Sequence, residues 1–323
     1  MRVKDYGVLA LLALIWGASF LFIKVAVDDV SPATVVFGRL AFSVATLLVI
    51  LAARPALGAG WRRYWRLGFA IGIVNNVLPF LLISWGETRI ASGIASILNA
   101  TTPLFTVMLA HFWAGPGGEA LSWRRGAGVL VGFLGVGVLV GPEAFRIGGG
   151  VSQALGELAV VIAAAAYGVG ALMSKRYSGS APLVGPFTMQ SAALVVMLPV
   201  ALLWSPPTHL PSLAALGSMA ELGILGTAVA YLLFFRLINS VGPARTTLVT
   251  YLVPCTALIW GAVFLGEQVS WNALAGLALV LLGTLLTNGT LNGWLARRTR
   301  RDSHPSAGPA VDRPALTAMG TRR

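Results

Sequence analysis

Long runs of apolar residues dominate this sequence and restrict the folds that are open to it. A helix needs about 20 apolar residues to cross the roughly 30 Å hydrocarbon core of a bilayer. Runs such as 273–286 are apolar on every face, whereas the strands of a membrane barrel alternate apolar and polar residues. The sequence therefore predicts an all-α polytopic membrane protein with ten transmembrane helices. We place them at about 7–26, 33–53, 67–87, 91–113, 126–141, 154–174, 183–204, 213–236, 244–265 and 270–289.

Composition and charge agree with a membrane protein. Charged residues make up 11% of the sequence, against about 25% in soluble domains. A net charge of +12 could indicate binding to nucleic acid. The basic residues, however, lie in the connections between apolar runs and in the tail, so no nucleic-acid partner is expected. Cys255 is the one cysteine, which excludes a disulfide and a cysteine-based metal site. We expect neither a metal nor a cofactor.

The distribution of lysine and arginine predicts how the helices are oriented. Of the 23 lysines and arginines, 19 lie at the two termini and in the even-numbered connections, and three lie in the odd-numbered connections. Cytoplasmic connections carry the excess of positive charge in membrane proteins, so both termini are predicted to be cytoplasmic. Residues 291–323 are rich in arginine and proline and are predicted to form a basic, disordered cytoplasmic tail.

One sequence pattern occurs twice in the chain. A polar stretch that ends in proline, a glutamate beside a tryptophan and a glycine-rich final span recur in 99–135 and 251–283. Pro103 and Pro254 are 151 residues apart, and the later elements are 148 residues apart. Each copy belongs to a unit of five spans. Because five is odd, the second unit is inverted in the membrane, as in many secondary transporters. The two repeats are predicted at 1–142 and 150–290.

Short motifs at fixed places in this pattern point to a known family. They are Ile15-Trp16-Gly17-Ala18-Ser19-Phe20, Gly38-Arg39-Leu40, the Pro103 and Pro254 segments, Leu265-Gly266-Glu267 and the final helix with Gly276 and Gly283. In this order the motifs resemble those of EamA-type ten-helix transporters in the drug/metabolite transporter superfamily. The resemblance covers about residues 7–289. It implies export of small metabolites, often amino acids, across a bacterial inner membrane.

The same resemblance implies an arrangement of the helices. Helices one to four of each half would surround a central cavity. Helices five and ten would lie at the periphery, where they are a possible contact of a homodimer. Substrate identity varies widely among relatives of this type, so the resemblance does not name the substrate.

Two aromatic pairs occupy equivalent positions in the repeats. Trp16 corresponds to Tyr167, and Phe80 corresponds to Tyr231. Aromatic rings related by the pseudo-two-fold axis would face the cavity from opposite sides and could stack on an apolar or cationic ligand. Packing within the bundle or against lipid is the alternative interpretation for both pairs.

Uncharged polar residues at membrane depth form a second group of candidates. Amides and hydroxyls there must find a partner, because hydrocarbon offers none. One interpretation is interhelical hydrogen bonding, worth about 0.6 kcal/mol for each bond. The other is that some of these groups bind the amino and carboxylate groups of a substrate. The candidates are Asn75, Asn76, Asn99, Gln190 and Thr227.

Two charged residues lie inside predicted spans and are functional candidates by default. Arg39 matches the arginine of helix two in the resembling family, and we interpret it as an ion-pair partner or a contact for a substrate carboxylate. Its long side chain could instead reach the membrane interface. Glu221 lies about nine residues into helix eight. It could carry a coupling proton or pair with a basic residue.

Pro103 and Pro254 each remove a backbone hydrogen bond from a membrane helix, which predicts bends that line the cavity and act as hinges of alternating access. Glu119 and Glu267 lie in loops beside a tryptophan, and we interpret both as parts of a structural loop motif. The glycine face of helix five would serve either a dimer or packing within the protomer. That face includes Gly128 and Gly132.

Together these features predict a secondary active exporter of small metabolites, with amino acids favoured and proton-coupled alternating access as the mechanism. The expected partners are a small-molecule substrate and the lipid bilayer. Export of drugs or other metabolites is the main alternative. A membrane-embedded enzyme, a receptor and a channel are weaker alternatives. An enzyme would need clustered acidic or histidine residues, and no nucleotide-binding or hydrolase motif occurs in the sequence.

Overall fold

A computed structural model of the chain describes residues 3–113, 122–141, 150–177, 179–206 and 208–287. Within these ranges every regular element is a helix. Glu119 and the predicted tail at 291–323 lie outside them. We number the long helices α1 to α10. They are Val3–Val27 (α1), Pro32–Ala53 (α2), Trp65–Gly72 with Ile73–Val77 and Leu78–Glu87 (α3), Ser92–Asn99 with Thr102–Trp113 (α4), Trp123–Val140 (α5), Gly150–Ser174 (α6), Val184–Pro199 with Val200–Trp204 (α7), Leu213–Gly223 with Ile224–Val229 and Ala230–Val241 (α8), Val249–Phe264 (α9) and Trp271–Thr287 (α10).

The ten helices coincide with the ten predicted spans. Eight of the helical stretches in the described residues are long and apolar enough to cross a membrane. The other two, α9 and α10, are shorter, with 16 and 17 residues. The all-helical polytopic fold predicted from the apolar runs is therefore confirmed.

Local sequence signals set several helix ends. The hydroxyls of Ser31 and Ser212 each accept a hydrogen bond from the backbone N–H three residues later, which caps the starts of α2 and α8. Gly141 and Gly242 follow α5 and α8 with φ of 63° and 82°. Glycine adopts positive φ without steric cost, so these positions end the helices.

The helices pack in pairs that repeat across the two halves. Helix α1 packs against α9, as α6 packs against α4, and α3 packs against α7, as α8 packs against α2. Close approaches repeat as well: Gly17 on α1 lies against Thr256, and Gly168 on α6 lies against Phe105. Gly17 and Gly168 are 151 residues apart, and so are Phe105 and Thr256. This pattern confirms two five-helix repeats related by a pseudo-two-fold axis.

Helices α5 and α10 pack against each other through their glycine-containing faces. A Cβ atom on Gly283 would lie 2.5 Å from the backbone oxygen of Gly128 and 2.5 Å from the backbone nitrogen of Gly132. Side chains there would force the two helices apart. The predicted smooth face of helix five is thus occupied within the protomer at these glycines. The homodimer through α5 and α10 remains a prediction that would use other residues.

Two helices of equivalent position contain π-helical turns. These turns are Ile73–Val77 in α3 and Ile224–Val229 in α8, and they begin 151 residues apart. Helix α4 is interrupted at residues 100–101, just before Pro103. Helix α9 runs through Pro254 without interruption, and the break in that region lies at 247–248, after the short helix Pro243–Thr246. The role of the two prolines as hinges stays a prediction.

Contacts between connections define two ends of the bundle. At one end, Asp29 after α1 accepts a hydrogen bond from the backbone of Ser212 before α8 (2.8 Å), and the loop after α9 contacts the start of α4. We call this the odd-loop end. At the opposite, even-loop end, the backbone of Leu183 before α7 donates to Leu57 after α2 (2.8 Å).

Candidate functional site

Two hydrogen bonds between equivalent pairs of side chains lie at the centre of the bundle. Nε of Arg39 on α2 donates to Oγ1 of Thr227 on α8, at 3.2 Å. Nε2 of Gln190 on α7 donates to Oδ1 of Asn76 on α3, at 3.3 Å. Arg39 and Gln190 are 151 residues apart, as are Asn76 and Thr227. The two bonds are therefore equivalent under the pseudo-two-fold axis.

An aromatic ring accompanies each of these bonds. The Arg39 guanidinium lies over the Phe80 ring, 3.8 Å from its centroid. Tyr231, the equivalent of Phe80, lies beside Gln190. Two further groups, Tyr167 on α6 and Glu221 on α8, lie within electrostatic range of the guanidinium. We call the whole set the central cluster; it comprises Arg39, Asn76, Phe80, Tyr167, Gln190, Glu221, Thr227 and Tyr231.

The π-helical turns position the acceptors of the two bonds. Asn76 lies in the turn of α3, and Thr227 lies in the turn of α8. The Thr227 hydroxyl donates to the carbonyl of Leu222 five residues earlier, at 2.8 Å, and its oxygen accepts from Arg39. A single π-helical turn inside an α-helix frequently marks a functional site. Here both turns face the centre of the bundle.

The charge of Arg39 is not neutralised by a contacting carboxylate. Among the described residues, the one ion pair within 4.0 Å joins Lys24 and Asp28. Arg39 instead contacts a neutral hydroxyl and an aromatic face. Buried polar atoms of the cluster also lack partners in the described part of the chain: Oε2 of Glu221, Nδ2 of Asn76 and Oε1 of Gln190. Each such group costs about 1–3 kcal/mol unless a ligand or solvent satisfies it.

Trp16 and Asn75 lie next to the central cluster rather than in it. Nε1 of Trp16 donates to the carbonyl of Gly226 at 3.2 Å, and the indole packs on Phe234, with 5.6 Å between centroids. Asn75 lies against Gly170 on α6. The two residues of the predicted pair thus have different surroundings. Tyr167 is near Arg39, whereas Trp16 packs between α1 and α8.

The remaining predicted residues lie on α4 and α9. Asn99 ends the first segment of α4; its carbonyl accepts from the Thr102 hydroxyl at 2.8 Å, and its buried Oδ1 has no partner in the described residues. Pro103 is half-buried at the start of the second segment, and Pro254 is buried within α9. Among the described residues, no hydrogen bond or ring contact joins these three residues to the central cluster.

The odd-loop end holds a cluster of charged groups that the sequence analysis did not assign to a site. The carboxylate of Glu267 accepts from the Ser92 backbone (2.7 Å), the Ser92 hydroxyl (3.0 Å) and the Gly93 backbone (3.0 Å). Nζ of Lys24 donates to the backbone carbonyl of Glu87 at 2.7 Å. An anion thus lies at the start of α4 and a cation at the end of α3, where each is favoured by the helix dipole.

Glu267 therefore has the structural role in its loop that we predicted, and its partner is the start of α4. Glu87 is the residue that the sequence analysis missed. It is the last residue of its predicted span, where a carboxylate would ordinarily be taken as part of a loop. Its side chain is 0% exposed.

The two ends of the bundle differ in packing. In the last segment of α3, Pro79, Phe80, Ile83, Ser84, Gly86 and Glu87 are buried. In the equivalent last segment of α8, only Ala230 and Leu237 are buried among the described side chains. Lys24 has an exposed equivalent, Lys175. The first repeat is therefore more deeply buried at the odd-loop end than its counterpart is at the even-loop end. No group of His, Cys, Asp and Glu in the described residues could hold a metal ion.

The sequence profile of the EamA-like transporter family matches residues 5–141 and 154–289, one match for each five-helix repeat. A probable terminal-alkyne amino-acid exporter of Streptantibioticus cattleyicolor is 31% identical over 88% of this chain and 93% of its own length. An uncharacterized transporter of Archaeoglobus fulgidus is 28% identical over 87% of this chain and 97% of its own length.

The uncharacterized inner membrane transporter YedA of Escherichia coli is 26% identical over 87% of this chain and 92% of its own length. A crystal structure with 21% sequence identity superposes with a TM-score of 0.61 and covers 93% of this chain and 99% of the other. That likeness supports the fold alone. The matches cover both repeats and nearly the full length of the relatives. This chain is a multi-pass membrane transporter that belongs to the EamA-like transporter family.

Proposed function

We propose that the protein exports small zwitterionic metabolites, with amino acids as the favoured class, by proton-coupled alternating access. In this proposal the even-loop end and both termini face the cytoplasm of a bacterial cell. The basic residues of the even-numbered connections support this orientation. The substrate binds at the central cluster, between the two repeats.

The observation that carries the proposal is the unneutralised guanidinium of Arg39. It lies among neutral and aromatic groups at the pseudo-two-fold centre, and it has no carboxylate within 4.0 Å in the described residues. A cation in such surroundings is costly unless it is paired. The carboxylate of a substrate would provide the missing anion through charge-assisted hydrogen bonds.

Glu221 supplies the opposite charge. It lies within electrostatic range of Arg39, and its buried Oε2 has no partner in the described residues. An α-amino acid carries a carboxylate and an ammonium group on one carbon atom, so one molecule would contact both residues. We assign Glu221 to proton coupling, because a carboxyl group that exchanges its proton for a substrate ammonium links the two binding events.

The aromatic rings of the cluster support a substrate with an apolar part. Phe80, Tyr167 and Tyr231 surround the polar centre and could stack on an aliphatic or aromatic side chain. The relative from Streptantibioticus cattleyicolor is named as a probable exporter of an amino acid with an alkyne group. Export of drugs or other metabolites is the second candidate, which the same aromatic rings would favour if binding did not need Arg39.

The experiment that tests this function is transport by the purified full-length chain in proteoliposomes. A panel of radiolabelled amino acids is supplied with and without an imposed pH gradient. We expect at least one amino acid to be accumulated with the gradient and to exchange without it. Absence of flux across the panel would contradict the amino-acid proposal, and gradient-driven accumulation that survives in Glu221→Gln would contradict coupling at Glu221.

A further inference from the structure

Glu87 is a buried carboxyl group without hydrogen-bond donors. Its side chain is 0% exposed, and neither Oε1 nor Oε2 has a partner in the described residues. Glu267, a neighbouring carboxylate at the same end, accepts three hydrogen bonds from the start of α4. An ionised carboxylate is stable where donors surround it, and a buried one without donors is strongly disfavoured relative to the neutral acid.

The charged groups around Glu87 come from several elements, and each is engaged elsewhere. They are Lys24 on α1, Asp28 just after α1, Arg39 on α2 and Glu267 after α9. Lys24 bonds to the Glu87 backbone carbonyl and lies 4.0 Å from the Asp28 carboxylate. Arg39 bonds to Thr227. None of these contacts reaches the carboxyl oxygens of Glu87.

Two more charged residues lie close to this corner in sequence or in packing. Arg89, in the α3–α4 turn, lies over the Trp85 ring, 3.6 Å from its centroid, and donates to the Trp85 carbonyl at 3.0 Å. Helix α6 approaches α3 with Gly156 against the carbonyl of Gly86, and the adjacent Glu157 accepts from Gln153 at 2.9 Å. Glu87 is thus fully buried, and none of these groups donates a hydrogen bond to its carboxyl oxygens.

We propose that Glu87 is a proton-binding site and that the odd-loop end closes only when this residue carries a proton. When the end opens, water reaches the side chain, the O–H bond of the carboxylic acid breaks and the proton passes to water. The carboxylate that remains is then stabilised by solvent and by the nearby Lys24 ammonium. Closure reverses the step: a proton from the odd-loop side binds Glu87, and the neutral side chain is buried. This inference rests on the proposed alternating access and adds a location for its dependence on protons.

The first test detects the proton directly and needs no substrate. Infrared difference spectra of the full-length protein in liposomes are recorded between about pH 6 and about pH 9, a range that brackets titration of a shifted carboxyl group. We expect a C=O stretching band of a carboxylic acid that disappears at high pH, is absent from Glu87→Gln and is retained in Glu221→Gln. A wild-type difference spectrum that Glu87→Gln reproduces would overturn the proposal, because Glu87 would then keep one protonation state across this pH range.

The second test follows closure. Ser96 on α4 is 1% exposed, so a Ser96→Cys variant in a Cys255→Ser background reports opening of the odd-loop end through modification by a membrane-impermeant maleimide. Relative to an exposed reference cysteine, modification should rise about tenfold between about pH 6 and about pH 9 with Glu87 present. It should stay low and independent of pH in Glu87→Gln, which mimics the protonated acid.

An unchanged pH dependence in Glu87→Gln would also overturn the proposal. The two proposals fail separately. Absence of amino-acid flux in the wild type would contradict the proposed substrate, whereas the infrared and labelling results concern Glu87 alone.

Discussion

The two repeats of this transporter share a geometry and differ in chemistry. At the centre, Arg39 bonds to Thr227 beside Phe80, and the equivalent Gln190 bonds to Asn76 beside Tyr231. One repeat thus contributes a permanent cation where the other contributes a neutral amide. The arrangement of the helices is nearly symmetric, whereas the positive charge is present in only one of the two equivalent positions.

The ends of the bundle show a second difference between the repeats. The α3–α4 turn of the first repeat is held by Lys24 and Glu267, and most of the helical segment that leads into it is buried. The equivalent α8–α9 turn of the second repeat contains Pro243, which has no N–H to donate, and Lys175 is exposed. We interpret this difference in burial as a closed odd-loop end and an open even-loop end. Exchange of the two arrangements would produce alternating access.

The largest effect is expected from a substitution that removes the charge difference between Arg39 and Gln190. Arg39→Gln would place glutamine at both equivalent positions and leave no cation for a substrate carboxylate. Loss of one partner of a buried charge pair costs about 2–5 kcal/mol, so apparent affinity for amino acids should fall about 100-fold or more. Gln190→Ala is the matched control and should change affinity less than about tenfold. Equal effects of the two variants in proteoliposome uptake would contradict the assignment of the carboxylate site.

A smaller effect is expected when the contact between Glu267 and the start of α4 is removed at the odd-loop end. Glu267→Ala would leave the start of α4 without its charge-assisted acceptors, at a cost of about 3 kcal/mol. Hydrogen exchange of the Ser92 and Gly93 amides should accelerate about 100-fold. Gln268→Ala, at the exposed neighbouring residue, serves as the control. If both variants exchange at the wild-type rate, the Glu267 contact does not hold this end.

The smallest effect compares equivalent lysines. Lys24→Met removes a hydrogen bond from a charged donor, which is worth about 1.5–3 kcal/mol. Lys175→Met alters an exposed residue, and its effect should stay below about 0.5 kcal/mol. Thermal unfolding in detergent should therefore show a lower midpoint for Lys24→Met alone. Similar shifts for both lysines would mean that the two ends are held equally.

The sequence predicted the helices and the duplication well, because both depend on periodic patterns that are local or repeated. Arg39 was also predicted, since a charge within an apolar span is conspicuous. Its equivalence to Gln190 was missed because the two side chains differ in chemistry, and a comparison of repeats finds shared residue types. A comparison of repeat positions alone, without regard to residue type, would have identified this equivalence.

Glu87 could not be recognised for a different reason. Its burial depends on Lys24 and on the loop with Glu267, which is 175 residues from Ser92 in sequence. Burial of a residue at a helix end is decided by the elements that cover it, and no local pattern encodes them. Trp16 was assigned to the cavity by symmetry, and that role stays a prediction; its indole bonds to Gly226 on α8. A repeated sequence position predicts an equivalent location and does not fix the partner.

The most direct test of this account measures the accessibility of one pair of equivalent positions. Ser96 on α4 is 1% exposed, and Thr247, 151 residues later, is exposed. Each is changed to cysteine in a Cys255→Ser background and modified with a membrane-impermeant maleimide in vesicles of both orientations. We predict that the cysteine at 247 reacts about 100-fold faster than the one at 96, and from the even-loop side. Equal rates, or faster reaction at 96, would contradict a closed odd-loop end and an open even-loop end.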